Sequence, residues 1–318
     1  TRATPSQAVT TVAKQPPVVI YSMSSESALA DVSKTEAWLM AARPQTLPAG
    51  AAPVVVGTGL AIGAGVFAPL PALFALVGAL LLQIGTNFAN DYYDAIKGAD
   101  TDDREGFTRV TAGGLISPDA VKRAMWVTFG LAVLSGGYLV YIGGLPIVII
   151  GLSGVAAGVL YTGGPYPYGY RGLGDLFVFA YFGVIAVTGT YYVQAVAGVD
   201  SVPLWIPPET VPLAAIIASL PAAGLSTAIL VVNNIRDRET DAATGKRTLA
   251  VITGYDGARV EFTLLVGMAY TVPVIFAVTG YSLATLLPLV TLPLALSLSR
   301  TVLTETSGSV LNPALDPG

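Results

Sequence analysis

The chain of 318 residues contains no Cys and no His, and only 11% of its residues are charged. The lack of Cys excludes disulfides, redox dithiols and thiolate metal sites. The lack of His removes the commonest general base and the commonest zinc or iron ligand. Catalysis would therefore depend on carboxylates, Lys, Arg, Tyr, Ser or Thr, and a bound metal is expected to be a hard cation with oxygen ligands.

The low charge accompanies a hydrophobic content of 53% and a mean hydropathy of +0.67. Soluble domains carry about 25% charged residues, so this composition is typical of a membrane-embedded protein. The small acidic excess, 20 acids against 16 bases, argues against a nucleic-acid partner.

Apolar runs long enough to cross about 30 Å of hydrocarbon follow one another from Trp38 onward. We predict an all-α, multi-pass transmembrane bundle around a central cavity, with the lipid bilayer as partner. Residues 1–36 are predicted to form a disordered tail, 37–306 the membrane domain and 307–318 a C-terminal tail. The eight predicted helices cover residues 38–66, 69–92, 120–142, 145–162, 174–198, 211–235, 258–279 and 281–300.

The basic residues predict an orientation. All 16 lie at the N-terminal side, up to Arg43 near the start of the first helix, or in and beside the connections that follow even-numbered helices, whereas odd-numbered connections such as residues 200–210 have none. Because basic loops stay on the cytoplasmic side, we expect a plasma-membrane protein whose termini and charged loops face the cytoplasm.

Two acidic clusters fall on that side. Asn87, Asn90, Asp91 and Asp94 share one helical face at the end of the second helix, and Asn233, Asn234, Asp237 and Asp241 recur at helical spacing at the end of the sixth. Since both helices leave the membrane on the same side, the clusters are expected to face each other.

Carboxylates placed in this way suit Mg²⁺, which binds one or two carboxylates together with phosphate oxygens. Basic residues beside the clusters suit the rest of a diphosphate: Lys97, Arg104, Arg109, Lys246 and Arg247. The alternatives are ordinary charged loops at the membrane surface, or the ion site of a cation-coupled transporter.

Four segments resemble the UbiA superfamily of intramembrane prenyltransferases, and within it the 1,4-dihydroxy-2-naphthoate polyprenyltransferases. They are ARPQTLPAG (42–50), NFANDYYDAIKGADTDDREG (87–106), YTGGPYPYGYRGLGD (161–175) and NNIRDRETDAATGKRTLAV (233–251). The resemblance implies transfer of a polyprenyl group from an allylic polyprenyl diphosphate to 1,4-dihydroxy-2-naphthoate, with loss of CO₂ and diphosphate. Other acceptors of the same superfamily stay open: 4-hydroxybenzoate, homogentisate or a glycerol phosphate lipid.

The resemblance also implies roles for individual residues. Asn90, Asp91 and Asp94 would hold one Mg²⁺, and Asp237 with Asp241 a second, so the four aspartates would be catalytic. The expected substrate contacts are Arg43, Asn87, Asn90, Lys97, Arg104, Arg109, Tyr161, Arg171, Asn234, Lys246 and Arg247. Tyr161, with Tyr92, Tyr93, Tyr166 and Tyr168, is a candidate for stabilising an allylic cation, or else a membrane-interface anchor.

Two positions depart from the superfamily pattern. Gly98 stands where the broader superfamily has a third Asp; the naphthoate subfamily also has Gly at this position. It therefore stays open whether Asp100, Asp102 or Asp103 contacts metal. The family typically has nine helices, and residues 307–318 resemble the approach to the last one. The segment 161–175 is expected to cap the site, with Asp175 positioning it, or to be a tight interhelical loop.

Overall fold

The computed structural model describes residues 32–99, 109–199, 202–306 and 310–312. Within these ranges it is all helical, in agreement with the predicted class. The helices are α1 (Lys34–Ala42), α2 (Leu47–Gly63), α3 (Pro69–Ile96), α4 (Pro118–Leu160), α5 (Gly174–Phe179), α6 (Ala186–Ala195), α7 (Leu213–Arg236), α8 (Arg238–Ala243), α9 (Leu249–Val278) and α10 (Leu292–Thr304). Shorter helical turns lie at Pro44–Thr46, Tyr168–Arg171 and Leu283–Thr291, and a π-helical segment at Ala180–Ile185 joins α5 to α6.

Helix α4 is a hairpin rather than one long rod. Gly144 has φ 64° and ψ −148° in its middle, a conformation open mainly to glycine. A Cβ added to Gly158 would lie 3.3 Å from the ring of Phe129, so residues equally far on either side of the bend are in contact. The two arms therefore run antiparallel, as the separate predictions for 120–142 and 145–162 require.

The first, seventh and eighth predicted helices had wrong boundaries or an unexpected break. The first predicted helix, 38–66, is broken at Arg43, which has φ 52° and precedes a proline that disfavours the helical conformation. The seventh begins at Leu249 rather than 258, because Thr248 caps it, and it continues past a non-helical Gly254. The eighth, 281–300, opens as a 3₁₀ turn at Leu283 before α10.

The two predicted tails are partly ordered. Ser33 and Glu36 form a capping box at the start of α1, which places the helix within the predicted tail 1–36; residues 1–31 lie outside the described part of the chain. Residues 310–312 are helical, and Leu311 is fully buried against α7, α9 and α10. The rest of 307–318 is outside the described residues, so the prediction of an approaching last helix stays open there.

Two apolar cores position the polar ends of the helices. One contains Phe88 of α3 with Met125 and Phe129 of α4. The other contains Ile235 of α7 with Phe262 of α9. In the described residues, seven helical segments are long and apolar enough to cross a membrane. Some of these segments join two helices, and α4 is counted as one segment. Large apolar side chains such as Leu134, Val278 and Val290 point outward, as expected of an integral membrane protein.

Candidate active site

The two acidic clusters meet through one lysine. Lys246 Nζ lies 3.6 Å from Asp94 Oδ2 and 3.8 Å from Asp241 Oδ1. Asp94 ends α3, and Asp241 is on α8, so the polar ends of α3 and of the α7–α8 segment lie side by side. The expectation that the clusters face each other is confirmed in this geometry.

Similar local turns create both halves of this junction. Gly98 follows α3 with φ 65°, and Gly245 follows α8 with φ 79°. In each case the next residue donates its backbone N–H to an aspartate carbonyl: Ala99 to Asp94 and Lys246 to Asp241. Both are glycine-ended helix caps. The structural reason for Gly98, where the wider pattern has an acid, is this left-handed helix end.

The Asp91 carboxylate is almost completely buried and is held by a connection that sequence reasoning passed over. Its Oδ2 accepts hydrogen bonds from the backbone N–H of Thr111, at 3.1 Å, and from the Thr111 hydroxyl. The charge of Arg43, in the break between α1 and α2, also acts favourably on Asp91. The Thr111 donors and the Arg43 charge thus offset part of the cost of burying this carboxylate.

Asp94, equally buried, has three polar partners. Arg109 Nη2 lies 3.1 Å from Oδ2, Lys246 approaches the same oxygen at 3.6 Å, and the Tyr170 hydroxyl donates to Oδ1. Arg109 and Lys246 were expected at a diphosphate site; Tyr170 was not singled out by the sequence.

Asp237 is paired with its own neighbour. Arg236 Nε and Nη2 lie 2.7 and 2.9 Å from the two Asp237 oxygens, and Nη1 donates to Asn312 Oδ1 at 3.4 Å. Asp237 ends α7 with φ −91°, so Asp237 and Asp241 do not continue one helix; Asp241 belongs to the separate helix α8. The bidentate pair uses one lone pair of each carboxylate oxygen.

The predicted asparagines have structural partners. Asn87 donates to the Ala42 carbonyl at 2.8 Å and to the Thr46 hydroxyl at 2.9 Å, which ties α3 to the break after α1. Asn90 accepts from the Thr162 hydroxyl at 3.0 Å. Asn234 donates to Asp175 at 3.4 Å. That contact joins α7 to the start of α5, directly after the segment 161–175, as the positioning role of Asp175 requires.

Lys97 binds the backbone of the segment 161–175. Its Nζ donates to the carbonyls of Thr162, at 2.5 Å, and Gly164, at 3.3 Å. Desolvation of the ammonium group lowers the pKa of Lys97, and the charge of Asp94 opposes that shift. Lys97 is thereby tied to the same segment as Tyr170.

The remaining predicted contacts divide between the interior and the surface. The Tyr161 and Tyr168 rings meet edge to face with centroids 5.4 Å apart, and Tyr168 stacks on Phe177 at 4.1 Å. Burial raises the pKa of Tyr168 and keeps its phenol neutral. Arg171 and Arg247 are exposed; Arg171 stacks on Tyr166 with 4.2 Å from Cζ to the ring centroid. Arg104, Asp100, Asp102 and Asp103 lie outside the described residues.

The donor set fits a magnesium ion that is completed by its substrate. Among the residues described, no three Asp, Glu, His or Cys side chains group closely enough to hold a metal ion unaided. Two aspartates on each side of the junction could supply oxygen ligands, and Mg²⁺ ordinarily completes its shell with phosphate oxygens and water.

A family model described as "UbiA prenyltransferase family" matches residues 51–308. The chain belongs to the UbiA prenyltransferase family. It is 38% identical over 292 residues to the 1,4-dihydroxy-2-naphthoate octaprenyltransferase of Escherichia coli (strain K12), covering 90% of this chain and 91% of that protein. It is 40% identical over 279 residues to the enzyme of the same name from Mycobacterium tuberculosis, covering 87% and 90%.

The UbiA fold is also found in a solved structure. A UbiA homologue from Archaeoglobus fulgidus, bound to DMAPP and Mg²⁺, superposes with a TM-score of 0.58 at 15% identity, covering 87% of this chain and 93% of that one. The resemblance stated from the four segments is confirmed at the level of family and fold.

Proposed function

We propose that this protein transfers a polyprenyl group from an allylic polyprenyl diphosphate to 1,4-dihydroxy-2-naphthoate and gives demethylmenaquinol for menaquinone synthesis. The family and the two naphthoate-specific relatives support the reaction. The observation that carries it is the junction at Lys246, where an aspartate of each acidic cluster lies within 4 Å of the same ammonium group. An anion entering there meets cations and potential metal ligands from both clusters.

The junction is suited to stabilising a leaving diphosphate. When the allylic C–O bond breaks, its electron pair leaves with the diphosphate, so the barrier is lowered chiefly by groups that stabilise the developing negative charge. Lys246 and Arg109 supply positive charge beside Asp94. Bound Mg²⁺, held by Asp91 and Asp94 with Asn90 on one side and by Asp237 and Asp241 on the other, would neutralise the diphosphate oxygens.

The acceptor step needs no strong base. The electron-rich naphthoate ring attacks the allylic carbon through the carbon that bears the carboxylate, and the C–C bond to that carboxylate then breaks. Its electron pair restores the aromatic ring, and CO₂ leaves in place of a proton. A chain without His meets this requirement. The aromatic group of Tyr161, Tyr168 and Phe177 offers π faces that stabilise the allylic cation and exclude water.

The charge distribution sets the orientation in the membrane. Lys97, Arg109, Lys246 and Arg247 belong to the end of the bundle that carries the acids, and basic ends remain cytoplasmic. The active site therefore opens to the cytoplasm of a cell with the protein in its plasma membrane, where soluble diphosphate is released.

The test is product formation in membranes that contain the protein. Incubation with Mg²⁺, a polyprenyl diphosphate and 1,4-dihydroxy-2-naphthoate should give the prenylated naphthoquinol, detected by mass. Asp91→Ala and Asp237→Ala should reduce the rate by at least about a hundredfold, the scale on which loss of one electrostatic contact to a developing charge is felt.

Asp119→Ala is the matched control, because Asp119 is an exposed acid at the start of α4 and makes none of the contacts described at the junction; its rate should equal that of the parent. Product with 4-hydroxybenzoate, homogentisate or a glycerol phosphate lipid, and none with the naphthoate, would assign the other acceptor. No prenylated product in any mixture would refute the enzyme.

A further inference from the structure

The charged residues of the site converge on one side chain that sequence reasoning passed over. Lys246 Nζ lies 4.9 Å from the centroid of the Tyr170 ring, and Lys97 Nζ lies 5.4 Å from the same centroid. The Tyr170 hydroxyl donates to Asp94. A single phenol thus contacts one cation from each half of the junction and one of the four aspartates.

The backbone of the segment that carries Tyr170 is bonded to both halves of the junction. Its carbonyl accepts the backbone N–H of Arg247 at 3.0 Å, which joins the 168–171 turn to the α8–α9 connection. Lys97 donates to carbonyls earlier in the segment 161–175. The turn is therefore bonded to the α8–α9 connection, and the segment that contains it is bonded to the end of α3, so that Tyr170 lies between the two halves of the junction.

We propose that Tyr170 is a positioning residue of the diphosphate site, holding Lys97 and Lys246 at a fixed separation through its ring and Asp94 through its hydroxyl. Lysine side chains are long and lose much rotamer freedom on ordering. A π face attracts each ammonium group without using its N–H donors. Lys97, which donates to two carbonyls, therefore keeps its third N–H for a phosphate oxygen. This role rests on the proposed function, since it supposes that a diphosphate binds at the junction.

The two contacts of Tyr170 are separable by substitution. Tyr170→Phe removes only the hydroxyl and keeps a π face for both lysines. Tyr170→Leu removes both the hydroxyl and the π face. If the Leu variant does not fold, Tyr170→Met, which also lacks a π face, is used in its place. Each is compared by titrating purified protein with inorganic pyrophosphate in the presence of Mg²⁺, and by measuring kcat and KM for the prenyl diphosphate.

The chain contains a matched control in Tyr255. Its ring also has two cations above it, with Arg238 Cζ at 4.7 Å and Arg259 Cζ at 5.7 Å, and its hydroxyl lies 3.3 Å from Glu239 Oε1. It belongs to α9, outside the junction. Tyr255→Leu therefore removes a similar set of contacts and should leave pyrophosphate affinity and KM unchanged.

The loss of two cation–π contacts predicts that Tyr170→Leu weakens pyrophosphate binding and raises KM by roughly three- to thirtyfold, with a smaller change in kcat. Tyr170→Phe should keep the affinity at saturating Mg²⁺ within about twofold of the parent, because the π face remains. It should require more Mg²⁺ for half-maximal binding, because Asp94 has lost a hydrogen bond.

Equal affinities for the parent and Tyr170→Leu, or equal losses in the Phe and Leu variants, would refute the positioning role. If the parent itself fails to bind pyrophosphate with Mg²⁺, the diphosphate site and the proposed function fail instead. The two failures are therefore distinguishable in one set of titrations.

Discussion

Asp94 is paired with two basic side chains in a nearly buried position. Its side chain is 3% exposed, and those of Arg109 and Lys246 are 10% and 9% exposed. Each of these buried charges is stable only while its partners are present. Removing one partner leaves an uncompensated buried charge, and this costs more free energy than the intact pair contributes. Asp94 is thus a stability element of the site as well as a candidate metal ligand.

We expect Asp94→Asn to abolish prenyl transfer and to lower the free energy of unfolding by about 3 kcal/mol, because Arg109 and Lys246 lose their shared counter-charge. Thermal unfolding in detergent measures the second effect. Asp256→Asn is the control: Asp256 is 3.8 Å from Arg259 but its side chain is fully exposed, so the same chemical change should leave both the melting temperature and the activity as in the parent. Unchanged melting of the Asp94 variant would contradict the ion-pair account.

At the level of helices, the periodic parts of the chain were predictable and the irregular parts were not. The shared face of Asp91 and Asp94 follows from helical spacing, which the sequence displays directly. Other site contacts leave no periodic pattern in the sequence. Thr111 and Tyr170 contact residues far along the chain, and Arg236 pairs with its neighbour through the rotamer of its side chain. The break at Arg43 had a visible cause in Pro44, but a continuous apolar run concealed it.

The α4 hairpin depends on a single glycine. Gly144 has a positive φ, and an added Cβ would overlap the Pro203 carbonyl, which accepts the N–H of Leu145 at 3.0 Å. Gly144→Ala should therefore destabilise the protein by about 1–3 kcal/mol, the usual cost of a strained backbone conformation, and should speed thermal inactivation in membranes.

Gly151→Ala, in the second arm of the same hairpin, is the counterpart. Nothing lies within 4 Å of a Cβ added there, and Ala favours a helix over Gly by about 1 kcal/mol. This variant should be at least as stable as the parent. If Gly144→Ala inactivates no faster than Gly151→Ala, the bend does not require glycine.

For the protein as a whole, the hairpin decides the number of crossings. A helix of 43 residues would be about 65 Å long if straight, twice the hydrocarbon thickness. Because α4 folds back, the seven candidate spans of the described residues correspond to eight candidate crossings. An even number of crossings would return the chain to its starting side, as the proposed orientation requires.

The absence of Cys makes this orientation measurable with single introduced thiols. Asp119→Cys, at the exposed start of α4, should be protected from a membrane-impermeant maleimide in intact cells and labelled after lysis. Leu204→Cys, in the exposed loop after α6, should be labelled in intact cells. The reverse pattern would invert the orientation and place the acidic junction outside the cell.

The pairing of the four aspartates has a consequence for the order of binding. Each one has a basic neighbour: Arg43 for Asp91, Arg109 for Asp94, Arg236 for Asp237 and Lys246 for Asp241. A bare divalent cation arriving alone would have to compete with charges already in place. If the cation arrived together with a diphosphate, the displaced ammonium and guanidinium groups could pair with the incoming phosphate oxygens. Binding would then exchange one set of ion pairs for another. At the proposed site, metal and diphosphate would therefore be expected to bind together rather than one after the other.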